Sequence, residues 1–493
     1  MKQFLKQYPI HSFLISLFMA IFLYAQNDEL IELHMIYRTL FYGLIVSCGV
    51  FGISFLFIKE KTKTGIITTI IILTLFNYGV LYDFIEGLYY KDLWPFKSIH
   101  RYLLVILFAI TVSIILIIKN KIIVGERINY FLNILVIFLL CFNTIKIITL
   151  KTLYNHSNRH IGGQKSNYAI YKVNKKLPNI YYMILDGYAN QHVLSKYYHY
   201  NNQPFIDFLK SKQFYIADSS SSNYYFTSTS LSATLNMDYH EDSLPSNFDK
   251  LRNNKVLSEL KKYGYKTYRL QSGYAVTSGL TDIDSIIKIN APNEFERSVL
   301  KYTICRLDDI FGFIPFARLK SQIKKLDDIQ LLANVNPKFV FIHIVAPHPP
   351  FVFNENGDRT FTKKDNDNSW EPKEKYVAQL SYINTITKSF IQNITEKDSK
   401  AIFILQSDHG PYITANKSED VFIARSMILN AIKYPDTTNY KSLYKTISSI
   451  NTFRSVFNNY IDSTYVLIPD VTRGKKDLEN SPVFKTKVIN SSN

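Results

Sequence analysis

The sequence predicts two halves of different kind: an N-terminal bundle of about five transmembrane helices, then an α/β domain with a mostly parallel central sheet and helices on both faces. Three observations predict this. Five apolar stretches crowd the first 150 residues. Beyond residue 178, short apolar runs alternate with longer amphipathic ones, as strands do when helices connect them. Three of those runs end in Asp or His rather than in ordinary turn residues.

The apolar stretches lie at 10–26, 40–58, 65–82, 102–118 and 129–150. Each approaches the ~20 residues that cross a ~30 Å hydrocarbon layer as a helix, the form that satisfies its own backbone there. The first, FLISLFMAIFLYA, has the length of a signal-peptide core, but no small-residue cleavage site follows it, so it reads as a retained helix. With the N-terminus inside, the cytoplasmic connections carry Lys2, Lys6, Lys59, Lys61, Lys63, Lys119, Lys121 and Arg127; the outer loops carry Arg38, Lys91, Lys97 and Arg101. That eight-to-four bias favours N-inside. Five spans then put everything after Lys151 outside the cytoplasm, on a multi-pass inner-membrane protein; the rival is four spans with a cytoplasmic domain. The expected organisation is a transmembrane domain at 1–150, a polar linker with Gly162-Gly163 at 151–177, and a catalytic domain at 178–493.

A formal charge of +17 calls for an anionic partner, either a phosphate-bearing substrate or a lipid surface. No helix-turn-helix, zinc-finger or ribonucleoprotein signature accompanies it, so nucleic acid is not expected. Cys48 and Cys141 sit in apolar runs and Cys305 is alone in sequence, which excludes a disulfide framework or a cysteine metal site.

In the second half, buried strands are expected at 179–185 (NIYYMIL), 339–345 (FVFIHIV) and 401–406 (AIFILQ), with a further one at 266–271 (KTYRLQ). Helices are expected at 204–212 and 375–394. The first strand runs into Asp186-Gly187, the second into Ala346-Pro347-His348, the third into Ser407-Asp408-His409-Gly410. Ligands of open α/β sheets gather at the carboxyl ends of strands. Singly these are a turn Asp or a surface His; together they outline a site. Between the strands, SSSSNYYFTSTSLSATLNMDY at 219–239 brings hydroxyls into a helix. It reads either as capping or as an alkoxide nucleophile at a helix N-terminus, where a phosphoryl anion is welcome. Asp carboxylates, a neutral imidazole and a hydroxyl suit one divalent cation, and Asp186, Thr227, Asp408 and His409 make such a set.

LDGYA at 185–189, the SNYYFTSTSLSATLN block, APHPPF at 346–351 and QSDHG at 406–410 occur in the order that resembles the sulfatase-like branch of the alkaline phosphatase superfamily. The arrangement is similar to membrane-anchored lipoteichoic acid synthases and phosphoethanolamine transferases, and covers nearly the whole chain except 290–338. The resemblance implies Asp186, Asp408 and His409 as metal ligands and Thr227 as both ligand and nucleophile, with Ser228, Thr229 and Ser230 as the nearest alternatives. It implies His348 facing the substrate's phosphate or leaving group, and a phospho-threonine intermediate resolved by a second acceptor. The partners implied are a membrane lipid donor with an anionic phospho-headgroup and an envelope glycan or lipid acceptor. The implied cofactor is one divalent ion, Mn or Zn, with Mg or Ca as alternatives. Tyr376, Gln379, Arg425, Asn451 and Arg454 fall in further similar segments, where helix packing serves equally well as an explanation.

Two departures matter. The C/S-x-P-x-R sequence of true sulfatases is missing, which disfavours sulfate esters. None of the eleven histidines follows His409, which removes the second metal site of two-metal relatives. The leading expectation is transfer of a phosphoglycerol or phosphoethanolamine group. The alternatives are a phosphodiesterase, phosphatase or sulfuric-ester hydrolase using water, and an inactive membrane scaffold.

Overall fold

A computed structural model describes residues 1–27, 33–89, 99–120, 126–159, 171, 176–240, 244–306, 313–334, 336–360, 370–461, 465–481 and 483–484. The chain divides into two compact units: Met1–Gly163 with Asn293–Ile310, and Gln164–Pro292 with Phe311–Asn493.

Among the described residues of the first unit, four helices are long and apolar enough to cross a membrane: Leu33–Ile58, Lys61–Leu88, Ile99–Asn120 and Glu126–Leu150. The span expected at 10–26 folds as the 15-residue helix His11–Ala25, whose length of about 22 Å falls short of a ~30 Å layer. Pro9 interrupts the chain between this helix and the preceding Lys2–Gln7, so the two do not merge into one long span. By length, then, four of the five expected spans qualify among the described residues, and His11–Ala25 is a shorter apolar helix. The last helix continues past residue 150 to Arg159, into the stretch expected to be linker; 160–170 and 172–175 of that stretch lie outside the described residues.

The first unit also takes in 293–310, which the sequence placed within one continuous domain from 178 to 493. Asn293 and Glu296 form a reciprocal capping box that starts helix Glu294–Tyr302. Phe295 and Val299 on its face pack among Tyr24, Ala25, Met35, Ile36 and Ile147. Arg38 grips the Glu296 carboxylate with Nε and Nη2, and Arg306 reaches Asp83 at 2.9 Å. Gly79 permits the approach: a Cβ there would stand 2.3 Å from the carbonyl oxygen of Lys301. A segment built for packing carries no chemical motif, which is why 294–302 showed none in the sequence.

The second unit is organised by a seven-stranded sheet: β1 Ile180–Leu185, β2 Tyr215–Ile216, β3 Lys266–Leu270, β4 Ser285–Ile287, β5 Lys338–Ile344, β6 Ile402–Gln406 and β7 Asn430–Lys433, in spatial order β2-β7-β6-β1-β5-β3-β4. From β6 to β4 the strands run parallel; β7 lies antiparallel to β6, and β2 antiparallel to β7. The four strands expected from the sequence all form. The three it missed, edge strands β2 and β4 and the inner β7, have two to four residues, too short for a pattern to show.

The inner strands are apolar on both faces because both faces are covered. Tyr181, Met183, Leu185, Val340, Ile342, Phe403 and Leu405 face one core with helices Gln191–Tyr198, Gln203–Ser211, Phe313–Gln330 and Lys373–Lys397. Ile180, Tyr182, Ile184, Phe339, Phe341, Ile402 and Ile404 face the other, with helices Thr227–Asn236, Lys255–Lys262 and Ser449–Tyr460.

Candidate functional site

Because β1, β5 and β6 are adjacent and parallel, their carboxyl ends deliver Asp186, the His348 loop and Asp408-His409 to one edge. The Asp186 amide bonds to the Ile344 carbonyl, and the His348 amide bonds back to the Asp186 carbonyl, both at 3.0 Å. Gly187 holds φ +72°, and a Cβ on it would meet Trp370 at 2.7 Å. That turn presents the Gly187 N–H to Asp408 Oδ1 at 3.2 Å.

Helix Thr227–Asn236 enters from the second face, and its residues 227–235 are all buried. Its first residue is Thr227, whose Oγ1 stands 3.3 Å from His409 Nε2. Two of the neighbouring hydroxyls are committed elsewhere: Thr229 donates to the Phe226 carbonyl and Ser230 to the Asp408 carbonyl. The His409 ring donates from Nδ1 to the Gly410 carbonyl at 3.0 Å, which leaves Nε2 as its lone-pair atom. Burial, with Arg425 adding to it, holds His409 well below the ordinary histidine range, so the ring is neutral.

Around His409 Nε2 lie Thr227 Oγ1 at 3.3 Å, Asp408 Oδ2 at 3.4 Å and Asp186 Oδ1 at 3.6 Å. Ligand atoms bound tetrahedrally at about 2.0–2.2 Å stand about 3.3–3.6 Å apart. Asp186 Oδ1 and Asp408 Oδ2 are buried with no hydrogen-bond partner. Two carboxylate oxygens without donors, a neutral imidazole and a hydroxyl at those separations fit a divalent cation. The electrostatics agree: burial and the Asp186 charge push Asp408 up, whereas for Asp186 burial is outweighed by His348, His343 and His409, which hold its carboxyl well below the usual range.

Residues 178–445 match the Sulfatase family. The chain belongs to the sulfatase family. Besides that domain it carries, among the described residues, four helices long and apolar enough to cross a membrane. Among curated proteins none matches the sequence. Similar solved structures include the C-terminal periplasmic domain of EcEptC from Escherichia coli, at TM-score 0.42 and 11% identity, covering 61% of this chain and 89% of that one. The lipoteichoic acid synthase LtaP from Listeria monocytogenes has TM-score 0.40 and 13% identity over 60% of this chain and 74% of that one. The integral membrane lipooligosaccharide phosphoethanolamine transferase A (EptA) from Neisseria meningitidis has TM-score 0.38 and 11% identity over 91% and 94%.

In this sulfatase-family site His348 is half-buried, its Nδ1 2.7 Å from the Pro349 carbonyl and its ring 4.8 Å from Trp370 and 6.0 Å from His409. One of its ring nitrogens lies within 4.8 Å of ligand atoms of Asp186 and His409. The weaker sequence matches divide. Tyr376 donates to the Gly187 carbonyl, and Gln379 donates to the Pro347 and His348 carbonyls, so both brace the site's loops. Arg425 belongs to the site itself: fully buried, it places Nη2 3.1 Å from His409 Nε2 while Nε and Nη1 hold the Tyr225 and Gly410 carbonyls. Asn451 and Arg454 instead tie down the 466–470 loop.

Sequence reasoning missed two residues. Trp370, 1% exposed, stands between His348 and Gly187, in a stretch without pattern. His343 lies inside β5, with Nε2 3.3 Å from Asp186 Oδ2. A signal for it existed: Phe339 and Phe341 precede it on the same face, so a third apolar residue was due there.

Proposed function

We propose that the chain moves a phospho-alcohol group, of the phosphoglycerol or phosphoethanolamine type, from a membrane lipid to an envelope glycan or lipid through a phosphorylated Thr227. The observation that carries this reading is Oγ1 of Thr227, the first residue of a buried helix, 3.3 Å from His409 Nε2 beside two carboxylate oxygens that lack donors. Asp186, Thr227, Asp408 and His409 would hold one divalent ion. When bound, it acidifies the threonine hydroxyl and offsets charge on the phosphate.

The residues divide the remaining work. Thr227 Oγ1 attacks phosphorus, and the bond from phosphorus to the lipid alcohol's oxygen breaks. The acceptor hydroxyl then attacks the same phosphorus and returns Thr227 to its free form. The first N–H groups of the helix, which lie outside its own hydrogen-bond ladder, favour a phosphoryl anion beside that residue. With Nδ1 occupied by the Pro349 carbonyl, His348 Nε2 is the atom that gives a proton to the departing alcohol and takes one from the acceptor. Arg425 Nη2 shares His409 Nε2 with the cation's position, so a bound cation frees that N–H for a phosphoryl oxygen. Donor lipid lies where the four apolar helices cross. The excess of Lys and Arg in the alternate loops supports an N-inside chain with His11–Ala25 as the first crossing and the catalytic unit outside.

The test is headgroup transfer from a headgroup-labelled phospholipid by the full chain in vesicles. Label covalently held by the wild-type protein and missing from Thr227→Ala, followed by label on an added acceptor, is the expected result. Label released only as a free headgroup phosphate would make the enzyme a hydrolase. Turnover unchanged by Thr227→Ala would overturn the nucleophile.

A further inference from the structure

We infer that His343 is a positioning residue that aims Asp186 at the cation, an inference that rests on the metal-centre reading above. Asp186 turns its two oxygens to different neighbours. Oδ1 lies 3.6 Å from His409 Nε2, inside the ligand cluster, while Oδ2 lies 3.3 Å from His343 Nε2, on the cluster's far side. His343 is fully buried within β5, paired in register with Ile184 two residues before Asp186. A strand fixes its Cβ more rigidly than a loop would. Its other nitrogen, Nδ1, lies 3.1 Å from Thr277 Oγ1, and Thr277 is itself held by Ser272 Oγ at 3.0 Å and by Arg269 on its carbonyl.

A Thr277 hydroxyl that donates to Nδ1 leaves the Nε2 hydrogen facing Asp186 Oδ2, 3.3 Å away. Asp186 then has one oxygen beside His343 and one free, and the free one is the buried, partnerless Oδ1. Without His343 the carboxylate could rotate and offer either oxygen, or both, to the cation. The placement also explains why a polar residue interrupts an otherwise apolar strand face: after Phe339 and Phe341, position 343 reaches the level of the site. An alternative geometry, in which His343 Nε2 itself binds a cation with Asp186 and Asp408, uses atoms that are also within 4.8 Å of one another. The experiment separates the two.

Zn²⁺ affinity of the full chain in detergent is measured by chelator competition for wild type, Thr277→Val, His343→Gln and His343→Leu, with X-ray absorption of the Zn²⁺-loaded wild type. Wild type is expected to show one imidazole at the metal. Thr277→Val, which keeps the packing and loses only the hydroxyl, and His343→Leu are expected to weaken Zn²⁺ by about 10- to 100-fold, the range for outer-shell partners, without changing the saturating stoichiometry. His343→Gln, which keeps an N–H donor, is expected to recover most of the loss. Two imidazoles at the metal would make His343 a ligand and overturn the inference. So would unchanged affinity in both Thr277→Val and His343→Leu while the wild type binds. Absence of Zn²⁺ from the wild type would remove the metal-centre reading and this one with it.

Discussion

Near the start of the membrane unit, His11, Asn129 and Asn133 are as deeply buried as Asp186, Asp408 and His343 at the sheet's edge. Their hydrogen bonding is opposite. His11 gives its backbone N–H to Asn133, one ring nitrogen meets Thr69 and the other Asn129. The two amides pass their N–H groups to the carbonyls of Leu5, Lys6 and Tyr8, holding the turn around Pro9 against helix Glu126–Arg159. At the sheet's edge, Asp186 Oδ1 and Asp408 Oδ2 are buried without a hydrogen bond. An unpaired buried polar atom costs about 1–3 kcal/mol, so folding alone does not account for two of them in one place. The satisfied cluster is architecture. The unsatisfied one awaits something.

The strongest way to break this comparison is Asp408→Asn. It is expected to take the bound metal from one equivalent to none, measured by elemental analysis of the full chain, and to lower headgroup transfer by about 10³-fold or more. In metal-free protein the same change is expected to raise the melting temperature, because it removes one of two facing carboxylates. A lower melting temperature there would mean the cluster is satisfied as it stands. His348→Ala is expected next, slowing transfer by about 10²- to 10⁴-fold with metal content near one equivalent; loss of the metal would make His348 a ligand. Asn129→Leu is expected to leave metal and turnover alone and to lower stability by about 1–3 kcal/mol in a detergent unfolding titration, since the Lys6 carbonyl loses its side-chain donor and the buried His11 ring its Asn129 partner. The smallest effect is expected at Arg454→Ala, which unties the 466–470 loop: stability falls by about 1 kcal/mol while transfer stays within about twofold.

The comparison also marks what was legible beforehand. β1, β3, β5 and β6 were readable because a strand covered on both faces is a near-continuous apolar run. The residues after them were readable because a parallel sheet collects its strand ends at one edge. The short strands β2, β4 and β7 and the helix Glu294–Tyr302 were not, since two to four residues carry no period and a packing face has no chemistry to display. The first apolar run had the composition of a span, but Pro9 limits the helix to 15 residues, a restriction that hydropathy does not register.

By itself the sequence determined the order of the two halves, the parallel core of the sheet, and the candidate atoms Asp186, Thr227, His348, Asp408 and His409, because periodicity and local motifs are properties of neighbours in the chain. Which hydroxyl faces His409, that Arg425 joins it while Arg454 does not, that His343 stands behind Asp186, and that 293–310 belongs with the membrane unit were decided only by the tertiary structure. Those are distances between residues tens to hundreds of positions apart, and burial makes them matter by removing the water that would otherwise pair each polar atom.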